Sequence, residues 1–376
     1  MKFIHMSDLH LGKIIYQRNL IDIQTDLLHQ VINVMNQRKI NTLVVAGDIY
    51  DRAIASQESV AVLNDFLDEL INIHHKTVLM ISGNHDSSER LNFASSLLKS
   101  KGLYIVSFPQ KQMEPIEIEG VRFYLLPFFK PSYIRYLYDQ QELKTYQEAF
   151  AYYLSQQQID HRYPNVLVTH QFIAGNKAVT RSESEVILTV GGSEIIDVEL
   201  VKDFDYVALG HIHASQKIKY DHVRYAGSLM KYSFDEVKQQ KGIVEVTIED
   251  DKVSCELVSL SPQRDLIKVS GYFHEILDYP KNEQDFVSVE LKDHQIIGHA
   301  FDRLKEKYPE LLQVTYSALT NMTASHQTTA SSSFEKQTPV ELFSEFYEKM
   351  KGEKPDEEDI AVIASLLKEE DIDDAA

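Results

Sequence analysis

Apolar runs rich in β-branched residues alternate with segments of helical periodicity along the first 81 residues of the chain. The runs at 2–6, 42–46 and 77–81 predict buried strands, because they are short and end at polar or glycine-containing segments. The segments between them, 21–37 and 56–73, carry apolar residues at helical spacing. This β-α-β-α-β order predicts an α/β fold with a largely parallel sheet and right-handed crossovers.

The same pattern continues more sparsely and predicts a large first domain over 1–260. Further strands are expected at 122–126, 165–169, 206–209, 222–226 and 242–248. After Ser261 and Pro262 a smaller domain is expected over 261–319, with strands around 266–272 and 286–291 and a helix around 297–307. A stretch rich in Ser, Thr, Ala and Gln at 320–333 predicts a flexible linker.

The tail, 334–376, predicts two helices. Thr338, Pro339 and Glu341 form a capping-box signature that starts the first helix, and the second follows Pro355. Each predicted helix has an apolar face, made of Leu342, Phe343, Phe346, Tyr347 and Met350 in the first and of Ile360, Ile363, Leu366 and Leu367 in the second. These faces either pack back onto the first domain or bind a partner.

Charge and cysteine content narrow the class of protein. The formal net charge of −19 argues against binding nucleic acid through charge alone, although the basic stretch 214–242 could contact phosphate or be a solvated loop. Cys255 is the single cysteine, so an intrachain disulfide is impossible. With no signal-peptide pattern and no apolar run of membrane-spanning length, a cytoplasmic location is expected.

Ligand-type side chains follow five of the predicted strands. In an extended segment, residues two apart point the same way, so Asp8 with His10, and His211 with His213, can each direct two ligand atoms into one pocket. Each short motif alone is weak, but five together predict a metal site, and mixed oxygen and imidazole ligands suit Mn, Fe or Zn. The predicted ligands are Asp8, His10, Asp48, Asn84, His170, His211 and His213.

The order D-x-H, G-D-x-x-D-R, G-N-H-D, a single H and G-H-x-H resembles the calcineurin-like metallophosphoesterase superfamily, which implies a β-sandwich flanked by helices. The segments MSDLHLG at 6–12, VRYAGS at 223–228 and YSF at 232–234 further resemble the SbcD family of bacterial nuclease subunits. The small domain after Ser261 is similar to that family's DNA-capping domain.

The resemblance implies roles for the candidate residues. Asp8, His10 and His213 would hold one divalent ion, Asn84, His170 and His211 the other, and Asp48 would bridge them; Mn²⁺ is the expected metal. His85 would act on the phosphate or the leaving oxygen as proton donor, and Asp51 would orient His85. Arg52 occupies the superfamily's phosphate-binding position, with a surface salt bridge as the alternative.

The resemblance also implies partners and a reaction. These are DNA, an SbcC-type ATPase bound through the tail helices, and a second copy of the chain packed through 60–71 and 91–98, giving a heterotetramer. The implied function is a DNA exonuclease and endonuclease in end processing, repair or recombination. The alternatives are a phosphomonoesterase or cyclic-nucleotide phosphodiesterase with the same site, and a non-catalytic DNA-binding scaffold, which the intact ligand set disfavours.

Overall fold

The computed structural model describes residues 1–175, 179–185, 194–249 and 252–317, and six tail positions: Ser344, Tyr347, Pro355, Asp356, Asp359 and Ile360. The predicted linker and most of the two predicted tail helices lie outside the described residues. The chain divides into two compact units. The larger comprises 1–270, 274–289 and 299–314, and the smaller comprises 271–273, 290–298 and 315–317 with the described tail residues.

The first six-stranded sheet has strongly apolar central strands. Its inner strands are parallel, and an antiparallel pair forms one edge. Every residue of the strand at 42–46 is buried, as expected where both faces of a parallel sheet are covered. The strand order is β16 (Lys252–Ser259), β15 (Gly242–Glu249), β1 (Lys2–Met6), β4 (Thr42–Ala46), β5 (Thr77–Ile81) and β6 (Leu103–Val106).

The second six-stranded sheet also has a parallel centre. Its four inner strands are parallel, and a short antiparallel strand lies at each edge. The order is β13 (Gln216–Ile218), β14 (Tyr220–Tyr225), β12 (Tyr206–Leu209), β9 (Asn165–Thr169), β8 (Val121–Leu126) and β7 (Ile116–Ile118). The largely parallel sheet expected from the β-α-β-α-β order forms the centre of the first sheet, and antiparallel edge strands make both sheets mixed.

Helices cover the outer face of each sheet. On the first sheet lie α1 (Ile21–Gln37) and α2 (Gln57–Asp68), which continues as a π-helical turn to Ile73. The short α3 (Ser88–Leu91) and α4 (Ser95–Leu98) follow β5. On the second sheet lie α5 (Pro131–Tyr138) and α6 (Tyr146–Ser155), which begins at a complete capping box between Thr145 and Glu148.

Three apolar cores separate these layers. The first lies between the first sheet and α1 and α2, and includes Leu27 and Val31, four residues apart on one helix face. The second lies between the second sheet and α5 and α6. The third fills the space between the sheets with Phe3, Phe123 and Tyr206, whose rings meet edge to face. The layers therefore run helix, sheet, sheet, helix, a sandwich flanked by helices.

Smaller elements complete the described chain. They are the hairpin β2 (Ile14–Ile15) and β3 (Arg18–Asn19), the pair β10 (Ile173–Ala174) and β11 (Ile196–Asp197), a three-stranded sheet of β17 (Leu266–Gly271), β18 (Phe286–Leu291) and β19 (Leu311–Tyr316), and the helices α7 (Phe273–Asp278) and α8 (Ala300–Lys305). Among the helices in the described part of the chain, none is long and apolar enough to cross a membrane.

Candidate metal centre

The predicted ligand residues all follow strands whose carboxyl ends lie at one edge of the sandwich. Three of these strands belong to the first sheet and two to the second. Ligands gather at such strand ends in α/β sheets, since the chain there leaves the sheet and its side chains are free to converge. The predicted ligands are Asp8 and His10 after β1, Asp48 after β4, Asn84 after β5, His170 after β9, and His211 and His213 after β12; His85, predicted to act on the phosphate, follows Asn84.

Four of the seven predicted ligands have left-handed backbone conformations. Their φ angles are 53° at Asp8, 45° at His10, 50° at Asp48 and 93° at His211. Non-glycine residues adopt such angles at a cost of about 1–3 kcal/mol each, and only where the surrounding structure enforces them. Here main-chain hydrogen bonds extend the β1–β4 ladder past the strands: the Asp8 N–H donates to the carbonyl of Gly47 at 3.1 Å, and the His10 N–H to that of Asp48 at 3.0 Å.

The glycines that precede these ligands are required by close packing. A Cβ on Gly83 would overlap the carboxylate of Asp48, and one on Gly210 would overlap the carbonyl of Ala46 and the ring of His170. The turns after β5 and β12 therefore approach the turn after β4 more closely than any side chain at those glycines would permit.

Two groups of ligand atoms face each other across Asp48. In the first group, which includes Asp8, His10 Nε2 lies 3.1 Å from His213 Nε2. In the second group, Asn84 Oδ1 lies 3.2 Å from His170 Nε2 and 3.1 Å from His211 Nδ1. The Oδ2 atom of Asp48 is 3.6 Å from His10 Nε2 and 3.2 Å from His170 Nε2, so this carboxylate lies between the two groups.

The chemistry of these ligand atoms fits two divalent cations. Imidazole nitrogens, carboxylate oxygens and one amide oxygen converge in a buried space, and apart from the half-buried Asn84 every one of the seven residues is buried. Such a concentration of acceptor atoms without cations would leave lone pairs facing lone pairs. A further group, His10, Asp51 and His85, is also close enough to hold an ion. The Lys13 ammonium, 2.8 Å from Asp51 Oδ1, disfavours a cation there.

The buried carboxylates favour positive charge around them. Burial raises the pKa of the Asp8 carboxyl, although His170 and His213 oppose this. For Asp48, burial would also raise the pKa, but the charge of His170 and its hydrogen bond outweigh burial, so the pKa is well below its usual value. His170 shows the reciprocal effect: burial would lower its pKa, yet Asp48 and Asp8 raise it to about 9. The buried negative charge of Asp48 is therefore stabilised by a positively charged neighbour.

His85 lies beside the ligands but is oriented differently. Its Nδ1 is 2.9 Å from the main-chain carbonyl of Asp51, so Nδ1–H donates there. Its main-chain N–H donates to Asp48 Oδ1 at 2.9 Å, and Nε2 lies 4.0 Å from Asp48 Oδ2 on a side chain that is 17% exposed. Nε2 is thus left as the free ring atom at the solvent-accessible side of the cluster.

The group on Asp51 that contacts His85 differs from the one expected. The sequence-based expectation was a carboxylate that orients the ring, whereas the ring bonds the main-chain carbonyl. The Asp51 carboxylate instead pairs with Lys13 and lies 3.6 Å from His10 Nδ1. The side chain of Arg52 is 79% exposed and its Nε lies 3.9 Å from Asp51 Oδ2, the arrangement of a surface ion pair.

Sequence reasoning missed residues that support the ligands. Asp86 accepts main-chain N–H bonds from Ile49, Tyr50 and Gly83 at 2.8–3.1 Å, and burial raises its pKa to about 6. Its place in G-N-H-D was the available signal. His213 is surrounded by Ser184, Glu185, Glu236 and Lys241, which no short motif connects to it.

Fold and site together define a metal-dependent phosphoesterase of the calcineurin-like class. Residues 1–215 match the calcineurin-like phosphoesterase family, and residues 262–351 match a family described as the type 5 capsule protein repressor C-terminal domain.

A curated relative narrows the assignment within that class. The chain is 34% identical over 358 residues to the nuclease SbcD, a component of SbcCD from Staphylococcus epidermidis (strain ATCC 12228 / FDA PCI 1200), covering 93% of each protein. The chain therefore belongs to the SbcD family of calcineurin-like phosphoesterases. Among solved structures, Yfce, a phosphoesterase from E. coli, is 13% identical and aligns over 69% of this chain and 100% of its own with a TM-score of 0.29, too low to add to the fold assignment.

Proposed function

We propose that this protein is a Mn²⁺-dependent DNA nuclease that hydrolyses phosphodiester bonds with two divalent ions. The observation that carries the proposal is the position of Asp48 between two groups of ligand atoms drawn from five strand ends. Asp8, His10 and His213 would hold one ion and Asn84, His170 and His211 the other. The mixture of oxygen and imidazole ligands supports Mn²⁺ over Mg²⁺ or Ca²⁺.

The protein's own residues have separate tasks in this reaction. Two such ions, when bound, would stabilise charge on the phosphoryl group and make a water molecule more acidic. His85 would contribute a ring nitrogen on the accessible side: with Nδ1–H fixed on the Asp51 carbonyl, protonated Nε2 can donate to the leaving oxygen. The hydrogen bond from the His85 main chain to Asp48 links the position of this ring to the bridging carboxylate.

The substrate class can be tested directly with purified protein and Mn²⁺. We expect hydrolysis of bis-p-nitrophenyl phosphate and of single-stranded DNA, with little turnover of p-nitrophenyl phosphate. The Asp48→Asn variant, purified in parallel, controls for contaminating nucleases. Preferential turnover of the monoester would favour a phosphomonoesterase, and no turnover of any substrate by a metal-loaded protein would favour a scaffold.

Pairing of two copies is proposed through the helical surface around α2, α3 and α4. Val60 is 48% exposed, Phe93 84% and Leu97 74%, although all three are large apolar side chains. Val60 and Phe93 line one open cleft. Exposed apolar groups on this surface support an interface, since burying them removes apolar area from water. With one ATPase chain for each copy, such a pair would form a heterotetramer.

The tail is proposed to bind an SbcC-type ATPase, and the small domain over 261–319 to contact DNA. The family membership supports both, and the relative is itself named as part of SbcCD. Amphipathic helices bind partners by laying an apolar face into a groove. The ATPase would bind and hydrolyse ATP while the complex acts in DNA end processing, repair or recombination in the cytoplasm.

Ending the chain at Ser333 is expected to abolish ATPase binding while metal-dependent hydrolysis of a small diester stays within about twofold, because the seven ligands and His85 precede the cut. A pull-down with the ATPase and a diester assay measure the two effects. As a matched control in the full chain, Leu342→Asp with Phe346→Asp should weaken binding without removing residues. Undiminished binding by the truncated protein would contradict the assignment.

A further inference from the structure

The two ring nitrogens of His213 face different surroundings. Nε2 faces the ligand cluster, 3.1 Å from His10 Nε2. Nδ1 faces away from it and lies 2.7 Å from Ser184 Oγ and 3.3 Å from Glu236 Oε1. The residue is 1% exposed, so both nitrogens depend on protein partners. What binds Nδ1 therefore determines which nitrogen is available to a metal ion.

Glu236 is a buried carboxylate that forms an ion pair with Lys241. It is fully buried, and its Oε2 lies 2.6 Å from Lys241 Nζ, which is itself only 5% exposed at the side chain. Lys241 also donates to the carbonyl of His213 at 2.7 Å and to Ser228 Oγ at 2.9 Å. Burying two charges carries a large desolvation penalty before their attraction is counted. This ion pair lies directly behind His213. Two apolar side chains would pack equally well there, so packing alone does not account for the ion pair.

The direction of the hydrogen bonds follows from what each group can donate. A carboxylate only accepts, so the Ser184 hydroxyl, 2.5 Å from Glu236 Oε1, donates its proton to Glu236. Ser184 Oγ must then accept from His213, which requires a proton on Nδ1. A neutral imidazole with Nδ1–H has an unprotonated Nε2, the form that binds a metal ion.

The remaining contacts hold the His213 backbone in place. Its N–H donates to Glu185 Oε1 at 2.9 Å, and its carbonyl accepts from Lys241. His170, by contrast, directs Nδ1 to the main-chain carbonyl of Ala46 at 2.7 Å. His170 thus has a main-chain acceptor behind it, whereas His213 has Ser184 and a charged side chain, Glu236, which lies 23 positions away in the sequence.

We propose that Glu236, held by Lys241, is a positioning residue that acts through Ser184 to fix His213 as the Nδ1–H tautomer and direct Nε2 at the metal ion. This inference rests on the proposed metal site and extends it to residues that do not touch the ion. A glutamine at position 236 can donate as well as accept, so it no longer fixes the direction of the hydrogen bonds from His213 through Ser184. It also leaves Lys241 without its counter-charge.

The test is metal titration of the Glu236→Gln variant by calorimetry, with Mn²⁺ as the probe. We expect the affinity of one of two sites to fall by about 10–100-fold and the other to stay unchanged. The matched control is Glu245→Gln, which removes a 7% exposed glutamate on β15, paired with Arg38 at 2.5 Å and Lys2 at 3.3 Å. It should leave both affinities unchanged.

A second measurement is independent of metal and of activity. In protein purified without divalent ions, ¹⁵N spectra of labelled histidine should assign the His213 proton to Nδ1, and Ser184→Ala should shift the tautomer population toward Nε2–H. Ser184→Ala removes a single oxygen and decides the matter should Glu236→Gln fail to fold.

Three results would overturn the proposal: an Nε2–H tautomer in the wild type, two unchanged sites in a folded Glu236→Gln variant, or equal weakening of both sites. A wild-type chain that binds no divalent ion would instead overturn the metal site itself, and the positioning role with it.

Discussion

Replacing His85 with alanine is expected to lower DNA cleavage by about 10²–10⁴-fold while the chain still binds both divalent ions. The ring of His85 presents Nε2 on the accessible side of the cluster and contacts the Asp51 carbonyl through Nδ1. Its link to Asp48 runs through the main-chain N–H, which alanine retains. Loss of the ring would therefore remove the proposed proton donor but leave the proposed bridging carboxylate, Asp48, in position.

The measurement combines metal analysis of the purified variant with single-turnover cleavage of DNA at saturating Mn²⁺. His222→Ala is a suitable control, because that ring lies on β14 and contacts the Lys202 carbonyl at 3.2 Å. Loss of an ion from the His85 variant would mean that His85 is a ligand, in the group it forms with His10 and Asp51. Lys13, bound to Asp51, makes that outcome unfavourable.

Much of the catalytic fold was predictable because its central strands are apolar on both faces. The predicted strands at 2–6, 42–46, 77–81, 165–169 and 206–209 have the bounds that were expected. The strand β16 was missed although apolar and polar residues alternate along it, which is a strand signal, and α6 was missed although Thr145 and Glu148 carry a capping signature. The partition into two sheets depends on pairing between distant segments, which periodicity does not report.

The ligand residues were predictable for a different reason: strand ends are local features, and five of them carried ligand-type side chains. The structure brings all seven residues together. The contacts behind them were not predictable, because they join distant positions. In the sequence, Lys241 belongs to the basic stretch 214–242, which could contact phosphate or be a solvated loop. In the structure it is buried and paired with Glu236. Asp51 was expected to face His85 through its carboxylate, but a backbone carbonyl takes that place, and sequence carries no signal for which group of a residue points inward.

Replacing Asp48 with asparagine is expected to remove both divalent ions together and to abolish cleavage. Asp48 Oδ2 is 3.6 Å from His10 Nε2 in one ligand group and 3.2 Å from His170 Nε2 in the other, so this carboxylate is placed to serve both proposed ions. Two cations about 3.5–4 Å apart repel each other and need negative charge between them. Asparagine keeps the volume and tolerates the φ of 50° at this position, whereas alanine would add backbone strain.

Calorimetric titration with Mn²⁺ and elemental analysis of the variant measure the effect. We expect metal content to fall from about two ions per chain to well under one, since neither group retains enough negative charge to compensate an ion. His10→Asn is the matched control: it changes a ligand of one group, also at a left-handed position with φ 45°, and should weaken a single site. Two undisturbed sites in Asp48→Asn would exclude the bridging role, and loss of one site alone would assign Asp48 to a single ion.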